Sequence, residues 1–397
     1  MYDFVVVGAG PAGSRFARRA AEAGHDVLLL EKGVVGEPLA CSGHVSSDIW
    51  EYVDDSDRDR LLQNQIYGAR FHVDGPGSAS YPFYKRQPVS NVIDRVELDR
   101  TLADAARDAG VDVRTGHTVV GVDERPDHVV VDVNTSAASA ASTDGDATTQ
   151  FAGRMIAGCD GPTSRVRRSV GLPEPDTLLH GVLAFADAPD DGDLVDVHLT
   201  APTFFSWRIP RGDAGVEYGL AAPPSDDVKT MFDRLTDGYT VTTDRFCSGA
   251  IPLGPPETVT TERAFLIGDA AAQTKPFTGG GILYGMTAAD TAAETIDPTD
   301  PASLTAYESA WREAIGREIA LGRLIRRCYS LPKTLQRAGL RTLSGEIGVH
   351  MDRPSSFFSR EHVSRLLSRS EPPETALQNA DPAARAQSHA ENETTPR

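Results

Sequence analysis

The hydrophobic and polar positions in the first third of the chain alternate between strand and helix periods. Residues 2–7 and 27–30 form apolar runs of strand length, and residues 15–23 between them repeat apolar side chains at helical spacing. Residues 96–109 have the same helical spacing and stop before a glycine. Strands that alternate with helices in this way predict an α/β fold with a Rossmann-like parallel sheet.

The middle of the chain has a different pattern. Residues 181–252 contain short stretches with period-two alternation, which predict an antiparallel sheet. Helical spacing returns at residues 281–296 and 304–327. Residues 37–88 are rich in turn formers, and residues 134–150 form a low-complexity segment that predicts a loop. We therefore expect two domains followed by C-terminal helices.

These patterns define four predicted regions. They are a dinucleotide-binding domain from residues 1–75, 94–175 and 250–300, a substrate domain from 76–93 and 176–249, a C-terminal helical region at 301–365, and a disordered tail at 366–397. The first domain is discontinuous because later short apolar runs, at 111–114, 119–122, 154–159 and 264–267, are expected to return to its sheet.

Composition narrows the class of protein. The chain has 397 residues, of which 40% are hydrophobic, and no apolar run approaches the roughly 18 residues that a membrane span needs. The first strand follows Met1 almost directly, which leaves no room for a signal peptide. The four cysteines lack the spacing of a zinc site. We expect a cytoplasmic protein with reduced thiols and no metal.

The charge balance is strongly acidic. The formal net charge is -18, only a small minority of the 39 basic residues are lysines, and aspartate outnumbers glutamate. This bias resembles that of proteins from salt-loving archaea, in which high salt screens the repulsion between like charges. We expect no nucleic-acid partner, because its phosphates would be repelled.

A glycine-rich turn follows the first strand. Gly8, Gly10 and Gly13 form the pattern G-x-G-x-x-G, with Ala12 beside the last glycine, and Glu31 closes the next strand. In such a unit the first glycine makes the turn, the second admits a pyrophosphate and the third lets helix and strand pack. The helix N-terminus faces the phosphates, and the acid binds ribose hydroxyls. The pattern predicts a dinucleotide site, and the charge of Glu31 disfavours NADP.

Two later turns complete a set of three motifs. Asp160 lies in a Cys-Asp-Gly sequence after a short apolar run, and Gly268 and Asp269 open a Gly-Asp-Ala-Ala sequence about two-thirds along the chain. With the glycine-rich turn, these sequences resemble the flavin motifs of the p-hydroxybenzoate hydroxylase superfold, in the same order. The resemblance implies that the dinucleotide is FAD.

The same resemblance implies roles for single residues. Asp269 is expected to hydrogen-bond the ribityl chain of FAD, and Asp160 to help hold the cofactor loops. Arg95 is expected to reach the pyrophosphate or ribityl region, and the backbone of Val119 to contact adenine. For Arg95 the alternative is an ordinary residue at a helix N-terminus, flanked by acidic side chains.

Within that superfold, two segments are similar to marks of the geranylgeranyl reductase family. Cys41 lies in a turn similar to the family's Cys-Gly-Gly, although Ser42 replaces a glycine. The segment from Phe205 through Trp207 to Pro210 is similar to Tyr-x-Trp-x-Phe-Pro, although Phe205 lacks the tyrosine hydroxyl. Enzymes of this family use reduced FAD to saturate isoprenoid double bonds.

A third segment is similar to the family's loop beside the flavin ring. It contains Gly280, Gly281 and Ile282 and begins a predicted helix. The dipole at the N-terminus of that helix would favour negative charge on the N1 and C2 carbonyl edge of reduced flavin. The resemblance as a whole covers residues 1 to about 365, apart from the low-complexity segment.

The proposed reaction depends on how the alkene is positioned against the groups that reduce and protonate it. An isolated alkene needs a hydride on one carbon and a proton on the other at nearly the same time. Cys41 and His44 are the candidates for shaping or protonating the reacting alkene, and Phe205 and Trp207 for lining the prenyl channel. The alternatives are a small buried Cys41, a structural His44 and ordinary core packing of the two aromatic side chains.

The leading interpretation is an FAD-dependent reductase that saturates geranylgeranyl chains of archaeal membrane ether lipids. The alternatives are a menaquinone prenyl-tail reductase, an FAD-dependent monooxygenase or halogenase of the same superfold, and a non-enzymatic prenyl-binding carrier. Since no second dinucleotide fingerprint is present, the electron donor is left open between reduced ferredoxin and NAD(P)H.

One basic segment departs from the acidic composition. Residues 319–345 contain no acidic side chain, and leucines are interleaved with their basic residues, which are Arg323, Arg326, Arg327, Lys333, Arg337 and Arg341. Basic amphipathic segments bind anionic membrane surfaces, so we expect peripheral membrane contact here. The alternative is that these arginines pair with acids elsewhere in the protein.

Overall fold

The computed structural model describes residues 1–39, 41–135, 148–346 and 353–355. The strands in this part of the chain are β1 (Tyr2–Val7), β2 (Val27–Leu30), β3 (His44–Ser46), β4 (Leu62–Ile66), β5 (Gly68–His72), β6 (Ser80–Tyr84), β7 (Ser90–Ile93), β8 (Asp112–Arg114), β9 (His117–Glu124), β10 (Val129–Thr135), β11 (Thr148–Gly158), β12 (Thr177–Ala186), β13 (Leu194–His198), β14 (Ser206–Pro210), β15 (Val216–Ala222), β16 (Asp244–Leu253), β17 (Ala264–Leu266) and β18 (Gly345–Glu346).

The α-helices of the same residues are α1 (Pro11–Glu22), α2 (Arg58–Leu61), α3 (Arg95–Asp108), α4 (Arg165–Ser169), α5 (Val228–Tyr239), α6 (Ile282–Thr295), α7 (Ser303–Arg327) and α8 (Lys333–Leu343). Short 3-10 turns lie at Ser47–Glu51, Asp55–Asp57, Gly268–Ala271 and Cys328–Ser330. Helix α1 begins at Pro11, earlier than the apolar periodicity predicts, because proline is well suited to the first helical position.

The first sheet has the order β8-β2-β1-β11-β10-β9, with β17 paired to β11. Strands β8, β2, β1, β11 and β17 are parallel, whereas β10 and β9 add an antiparallel arm. In this register Val7 is paired with Leu30 and with Gly158, and Gly158 is paired with Leu266. The parallel strands therefore end at one edge, directly before the glycine-rich turn, Glu31, Asp160 and Gly268.

The second sheet has the order β16-β12-β15-β14-β13-β5-β6-β18. Its neighbours are antiparallel except for two parallel pairs, β13 with β5 and β18 with β6. A small third sheet, with the order β3-β7-β4, contains His44. The α/β fold class is confirmed, with a Rossmann-like sheet, a mainly antiparallel second sheet and C-terminal helices.

The hydrophobic core on the first sheet is anchored by aromatic side chains. Phe4 on β1, Phe16 on α1 and Phe265 on β17 pack edge to face, with ring centroids 5.2 to 6.2 Å apart. Tyr307 on α7 adds a further contact to Phe265 at 5.8 Å. These pairs attach the first and the long C-terminal helix to the sheet that carries the glycine-rich turn.

Several predicted elements differ from the structure. Residues 37–88, expected as turns, contain β3 to β6, and the loop expected at 134–150 is shorter because Asn134 pairs with Thr148. Helix α5 interrupts the region expected to hold only strands. Asp227 caps it by accepting from the amide of Thr230 at 3.1 Å, and its apolar side chains face the core at helical spacing.

The predicted domain boundaries stay predictions. Residues 68–72, assigned to the dinucleotide domain, form β5 of the second sheet, and residues 90–93, assigned to the substrate domain, form β7 of the small sheet. Helices α7 and α8 lie inside the predicted C-terminal helical region, and the predicted tail at 366–397 lies outside the described residues. No helix in the described ranges is long and apolar enough to cross a membrane.

Candidate active site

The glycine-rich turn is built from close backbone contacts. Gly8 has a φ of +100°, and a Cβ on Gly13 would lie 1.9 Å from the carbonyl oxygen of Gly8. Gly10, by contrast, has open space where a Cβ would lie. Gly8 and Gly13 are therefore required by the protein's own packing, whereas the space at Gly10 fits the predicted approach of a pyrophosphate.

Glu31 is held at the end of β2 by two backbone amides. Its Oε2 accepts from Ala9 at 2.9 Å and its Oε1 from Gly33 at 3.1 Å. These bonds fix the carboxylate beside the glycine-rich turn, which is the position that the sequence predicts for a ribose ligand. Val119, predicted to contact adenine, is buried on β9 of the same sheet.

Asp160 caps helix α4 from the loop after β11. Its carboxylate accepts from the hydroxyl of Ser164 at 2.6 Å and from the amides of Arg165 at 2.6 Å and Val166 at 3.2 Å. A Cβ on Gly8 would lie 2.5 Å from the carbonyl oxygen of Cys159, so this loop packs on the glycine-rich turn. The Asp160 carboxylate therefore orders the start of α4, and its predicted role toward the cofactor stays a prediction.

Arg167 is a further residue of this region that the sequence analysis missed. It is 1% exposed and donates to the carbonyl oxygens of Ala270 at 2.9 Å and Pro162 at 3.0 Å, and it also pairs with Glu174. Its guanidinium thus joins the Asp160 loop to the turn that contains Asp269. The sequence gives no signal for it, because Arg165 and Arg168 stand in the same segment and only the fold shows which arginine is buried.

Asp269 lies in a buried turn that packs against the glycine segment before α6, which contains Gly280 and Gly281. Its Oδ1 is only 2.3 Å from where a Cβ on Gly281 would lie, and a Cβ on Gly268 would lie 3.0 Å from the Cβ of Ala12. Burial raises the pKa of Asp269 to about 6, and the positive charge of Arg95 opposes that shift. The glycine-rich turn and the turn that contains Asp269 therefore meet beside this carboxylate.

The other residues of the third segment lie beside Asp269. Ile282 is the first residue of α6, and Gly281 precedes it as the N-cap. A Cβ on Gly280 would lie 2.8 Å from the Cε of Lys275, a side chain that is 4% exposed. The glycines thus let the chain pass close to Asp269 and Lys275 as it enters the helix.

Arg95 connects this region to the Cys41 turn. Its Nη2 donates to Oδ2 of Asp99 at 2.9 Å, and burial raises the pKa of Asp99 to about 6. For the Arg95 guanidinium, burial lowers the pKa, but the nearby charges of Asp99, Cys41 and Asp269 outweigh it and give a net increase. Arg95 is therefore a largely shielded cation at the start of α3, close to Cys41 and Asp269.

The site fits a bound FAD. The Nε of Arg95 is buried and has no hydrogen-bond partner among the described residues, which is also true of the Nε atoms of Arg19, Arg70 and Arg167. What distinguishes Arg95 is its place beside Asp269 and Cys41. The open space at Gly10 and the fixed carboxylate of Glu31 lie on the same sheet edge. These features match the polar contacts that the pyrophosphate and ribose of a dinucleotide require.

His44 is tied into the small sheet. Its Nε2 lies 2.7 Å from the hydroxyl of buried Ser90 on β7, and its amide donates to the hydroxyl of Ser42 at 3.2 Å. These contacts support the structural alternative for His44. Cys41 lies three residues before His44. It is partly exposed and close to Arg95.

Phe205 and Trp207, predicted to line a prenyl channel, lie in a buried aromatic cluster with Phe204 and Tyr329, here called the aromatic wall. Phe205 stacks on Phe204 with ring centroids 4.4 Å apart and meets Trp207 and Tyr329 edge to face, each at 5.8 Å. A Cβ on Gly279 would lie 3.2 Å from the Phe204 ring. The wall therefore reaches the glycine segment that precedes α6, whereas Pro210 lies at the other end of β14.

Phe204 and Tyr329 were missed by the sequence analysis. The hydroxyl of Tyr329 donates to the carbonyl oxygen of Phe277 at 2.7 Å, which brings the end of α7 to the same loop. Tyr329 lies more than 120 residues beyond Phe204. Phe204 could have been found from its position next to Phe205, whereas no local pattern in the sequence points to Tyr329.

Comparison with known proteins agrees with this geometry. The family described as FAD binding domain matches residues 1–204. Digeranylgeranylglycerophospholipid reductase 1 of Methanococcoides burtonii is 30% identical over 353 residues, which cover 83% of this chain and 84% of the relative. The menaquinone reductase of Mycobacterium tuberculosis is 28% identical over 369 residues, which cover 85% of this chain and 86% of the relative.

A solved structure shares the fold. It is a geranylgeranyl bacteriochlorophyll reductase-like protein from Thermoplasma acidophilum, with a TM-score of 0.77, 22% identity and coverage of 94% of this chain and 96% of that one. The family match and the reductase relatives confirm FAD as the cofactor and the function of an oxidoreductase. The chain belongs to the geranylgeranyl reductase family of FAD-dependent oxidoreductases, within the p-hydroxybenzoate hydroxylase superfold.

Proposed function

We propose that this protein saturates carbon–carbon double bonds in the geranylgeranyl chains of archaeal membrane ether lipids. The observation that carries the proposal is the contact between the aromatic wall and the glycine segment, where Phe204 lies against Gly279, two residues before the Gly281 that packs on Asp269. Phe204 and Phe205 are buried, with exposed fractions of 0% and 8%. An apolar, aromatic lining of this kind suits a prenyl chain, and its contact with the cofactor loops would bring that chain to the site of reduction. The relative from Methanococcoides burtonii bears the name of such a reductase.

Each residue has a defined task in this proposal. Bound FAD would supply the hydride that one alkene carbon receives. Asp269 and Glu31 would bind its hydroxyl groups, and Arg95 would bind its phosphate or ribityl oxygens through the free Nε. The aromatic wall would exclude water from the reacting alkene.

The second alkene carbon needs a proton, and Cys41 is the proposed residue for placing the alkene or supplying that proton. Its neighbour Arg95 is anchored by Asp99, which fixes one side of the Cys41 turn. We propose no proton transfer by His44, because its imidazole is engaged with Ser90. The reductant that reloads FAD is proposed to be reduced ferredoxin or NAD(P)H.

A prenyl-tail reductase for menaquinone is the second candidate, favoured by the name of the relative from Mycobacterium tuberculosis. To separate the two, the purified flavoprotein is incubated without oxygen with dithionite and either an unsaturated digeranylgeranylglycerophospholipid or menaquinone. Dithionite itself converts the quinone head to the quinol, so the samples are reoxidised in air before the masses are read. Mass spectrometry should then show the ether lipid with two added hydrogens per saturated bond and menaquinone at its original mass. Saturation of the menaquinone tail alone would reject the ether-lipid proposal. An added oxygen atom after admission of air would indicate a monooxygenase.

We also propose that α7, α8 and the turn between them contact the membrane, mainly through apolar side chains. Leu324, Leu331 and Leu335 are 53%, 44% and 56% exposed. The basic residues around these leucines are less available to bind anionic lipid than the sequence predicts, because several of them pair with acidic side chains. Arg323 pairs with Asp176 at 3.0 Å, and Lys333 and Arg337 pair with Asp74 at 2.7 and 2.6 Å.

Vesicle flotation tests this membrane contact. Wild type should float with neutral and with anionic vesicles, and the combined change of Leu324, Leu331 and Leu335 to serine should abolish flotation. Phe246→Ser is the matched control, because Phe246 is 59% exposed on β16, outside these helices. Equal flotation of the leucine variant and wild type would reject this surface.

A further inference from the structure

A fully buried carboxylate lies in the second sheet, behind the aromatic wall. Glu217 on β15 is 0% exposed, and both of its oxygens have partners. Its Oε1 accepts from the indole Nε1 of Trp207 at 2.8 Å, and its Oε2 accepts from Nη1 of Arg211 at 2.9 Å. The orientation of the Trp207 ring is thereby linked to a buried ion pair.

Arg211 carries this link out of the second sheet to the Cys41 turn. Its Nη1 also donates to the carbonyl oxygen of Ser42 at 2.6 Å, and its Nη2 donates to Gln63 at 2.5 Å and to the carbonyl oxygen of Ile93 at 3.4 Å. Ser42 directly follows Cys41, and Ile93 lies two residues before Arg95. One guanidinium therefore holds the backbone beside both candidate residues.

The two backbone segments are themselves joined. The amide of Ile93 donates to the carbonyl oxygen of Gly43 at 3.0 Å, and a Cβ on Gly43 would lie 2.4 Å from the carbonyl oxygen of Ile93. The turn and the start of α3 thus form one unit at the end of the Arg211 side chain. Since the contact is tight, a movement of Arg211 would be transmitted to Cys41 and Arg95 together.

Stability alone does not explain such a pair. A buried ion pair commonly adds little net stability compared with apolar side chains of the same volume. An apolar pair would pack the sheet equally well, but it would leave the Trp207 N–H and the carbonyl oxygens of Ser42 and Ile93 without these partners. The particular property of Arg211 and Glu217 is that they connect these groups in a defined geometry.

We propose that Arg211 and Glu217 are positioning residues, which fix the Cys41 turn at a set distance from the Trp207 face of the aromatic wall. This inference rests on the proposed function, because it takes Cys41 and Trp207 to border the reacting alkene. It assigns no contact with substrate or cofactor to either residue. Their effect on reduction is exerted through Cys41, Arg95 and Trp207.

The rate of cysteine alkylation tests the proposal without any lipid. The flavoprotein is treated with iodoacetamide, and peptide masses give the rate at each cysteine. Cys328 is exposed and provides the reference rate, whereas Cys159 packs against the main core and reports global opening. The variants are Glu217→Gln and Arg211→Met, with Arg211→Lys as a smaller change that keeps the charge but loses the forked donor.

We expect Cys41 to react at least about fivefold faster in Glu217→Gln and Arg211→Met, with Cys159 unchanged, since loss of about 1 kcal/mol of local stability has that effect. Arg211→Lys should give an intermediate rate at Cys41. Asp196→Asn is the matched control, because Asp196 is also a buried, ion-paired acid, on β13, and bonds to Arg70 and His72 instead. It should leave Cys41 at the wild-type rate.

An unchanged Cys41 rate in these variants would overturn the proposal. A parallel increase at Cys159 would also overturn it, because it would show that the pair only supports the fold. If the larger changes prevent folding, Arg211→Lys gives the same comparison. Failure of lipid reduction would leave the alkylation result intact, so the two proposals can fail separately.

Discussion

The guanidinium of Arg95 donates to Oδ2 of Asp99 at 2.9 Å, one turn further along helix α3. Both side chains are largely shielded from water, with exposed fractions of 12% and 10%. Asp99 therefore anchors Arg95 while the Nε of Arg95 is left for another partner. This arrangement explains how an arginine at a helix N-terminus faces the candidate active site instead of solvent.

Replacement of Arg95 by methionine should remove FAD and destabilise the protein. The change leaves Asp99 buried without its cation, which costs about 3 kcal/mol in comparable pairs. The ratio of flavin to protein absorbance after gel filtration measures the first effect, and urea denaturation the second. Arg100→Met, an exposed position on the same helix, is the control and should retain FAD. Normal FAD content in Arg95→Met would contradict the assigned role.

Gly10→Ala and Gly13→Ala should fail in different ways. A Cβ on Gly10 meets no atom within 4 Å, so this variant should fold normally, and it should lose FAD because the pyrophosphate is proposed to approach there. A Cβ on Gly13 would lie 1.9 Å from the Gly8 carbonyl oxygen, so that variant should yield little folded protein. Circular dichroism and flavin content distinguish the two outcomes. Full FAD binding by Gly10→Ala would place the pyrophosphate elsewhere.

The Cys41→Ala variant tests the residue proposed to place the alkene or supply its proton. It should keep FAD and lose at least about a hundredfold in the rate of lipid reduction, the lower end of the usual scale for loss of acid–base assistance. Cys328→Ala, at an exposed position, should react like wild type. Full turnover of Cys41→Ala on a prenylated lipid would exclude Cys41 from the reaction.

The stability of the protein should depend on the ionisation of Glu217. Burial raises its pKa from 4.5 to about 7, although Arg211 and the Trp207 N–H oppose that shift. Because the folded state holds the proton more tightly, the stabilisation is complete below pH 4.5 and is lost as the pH rises through 7.

Wild type should therefore lose about 1 kcal/mol per pH unit relative to Glu217→Gln between about pH 5 and pH 7. Chemical denaturation of both proteins across this range gives the difference directly. A difference that does not change with pH would show that Glu217 keeps an ordinary pKa in the folded protein.

The dinucleotide region could be predicted well from the sequence because its signals are local. Gly8, Gly13 and Glu31 lie within one βαβ unit, and the apolar period of α1 and α3 is undisturbed. The family resemblance added Asp160 and Asp269, which the parallel register brings to the same sheet edge.

The rest of the site depends on contacts between distant segments. Glu217 is an ordinary alternating residue in the sequence, and only the fold places Arg211 against Ser42, 169 positions earlier. Tyr329 joins the wall through the packing of α7, which no local pattern shows. His44 was a candidate for shaping or protonating the alkene because it lies close to Cys41 in the sequence. In the folded protein its imidazole contacts the hydroxyl of Ser90 instead.

The central claim is that reduced FAD in this protein transfers its electrons to a prenyl double bond. The most direct measurement is a single turnover without oxygen, in which enzyme reduced by one equivalent of dithionite is mixed with unsaturated digeranylgeranylglycerophospholipid. The account predicts that the absorbance of oxidised flavin returns while one lipid molecule per flavin gains two hydrogens. Flavin that stays reduced until oxygen is admitted, with no change in lipid mass before that point, would contradict it.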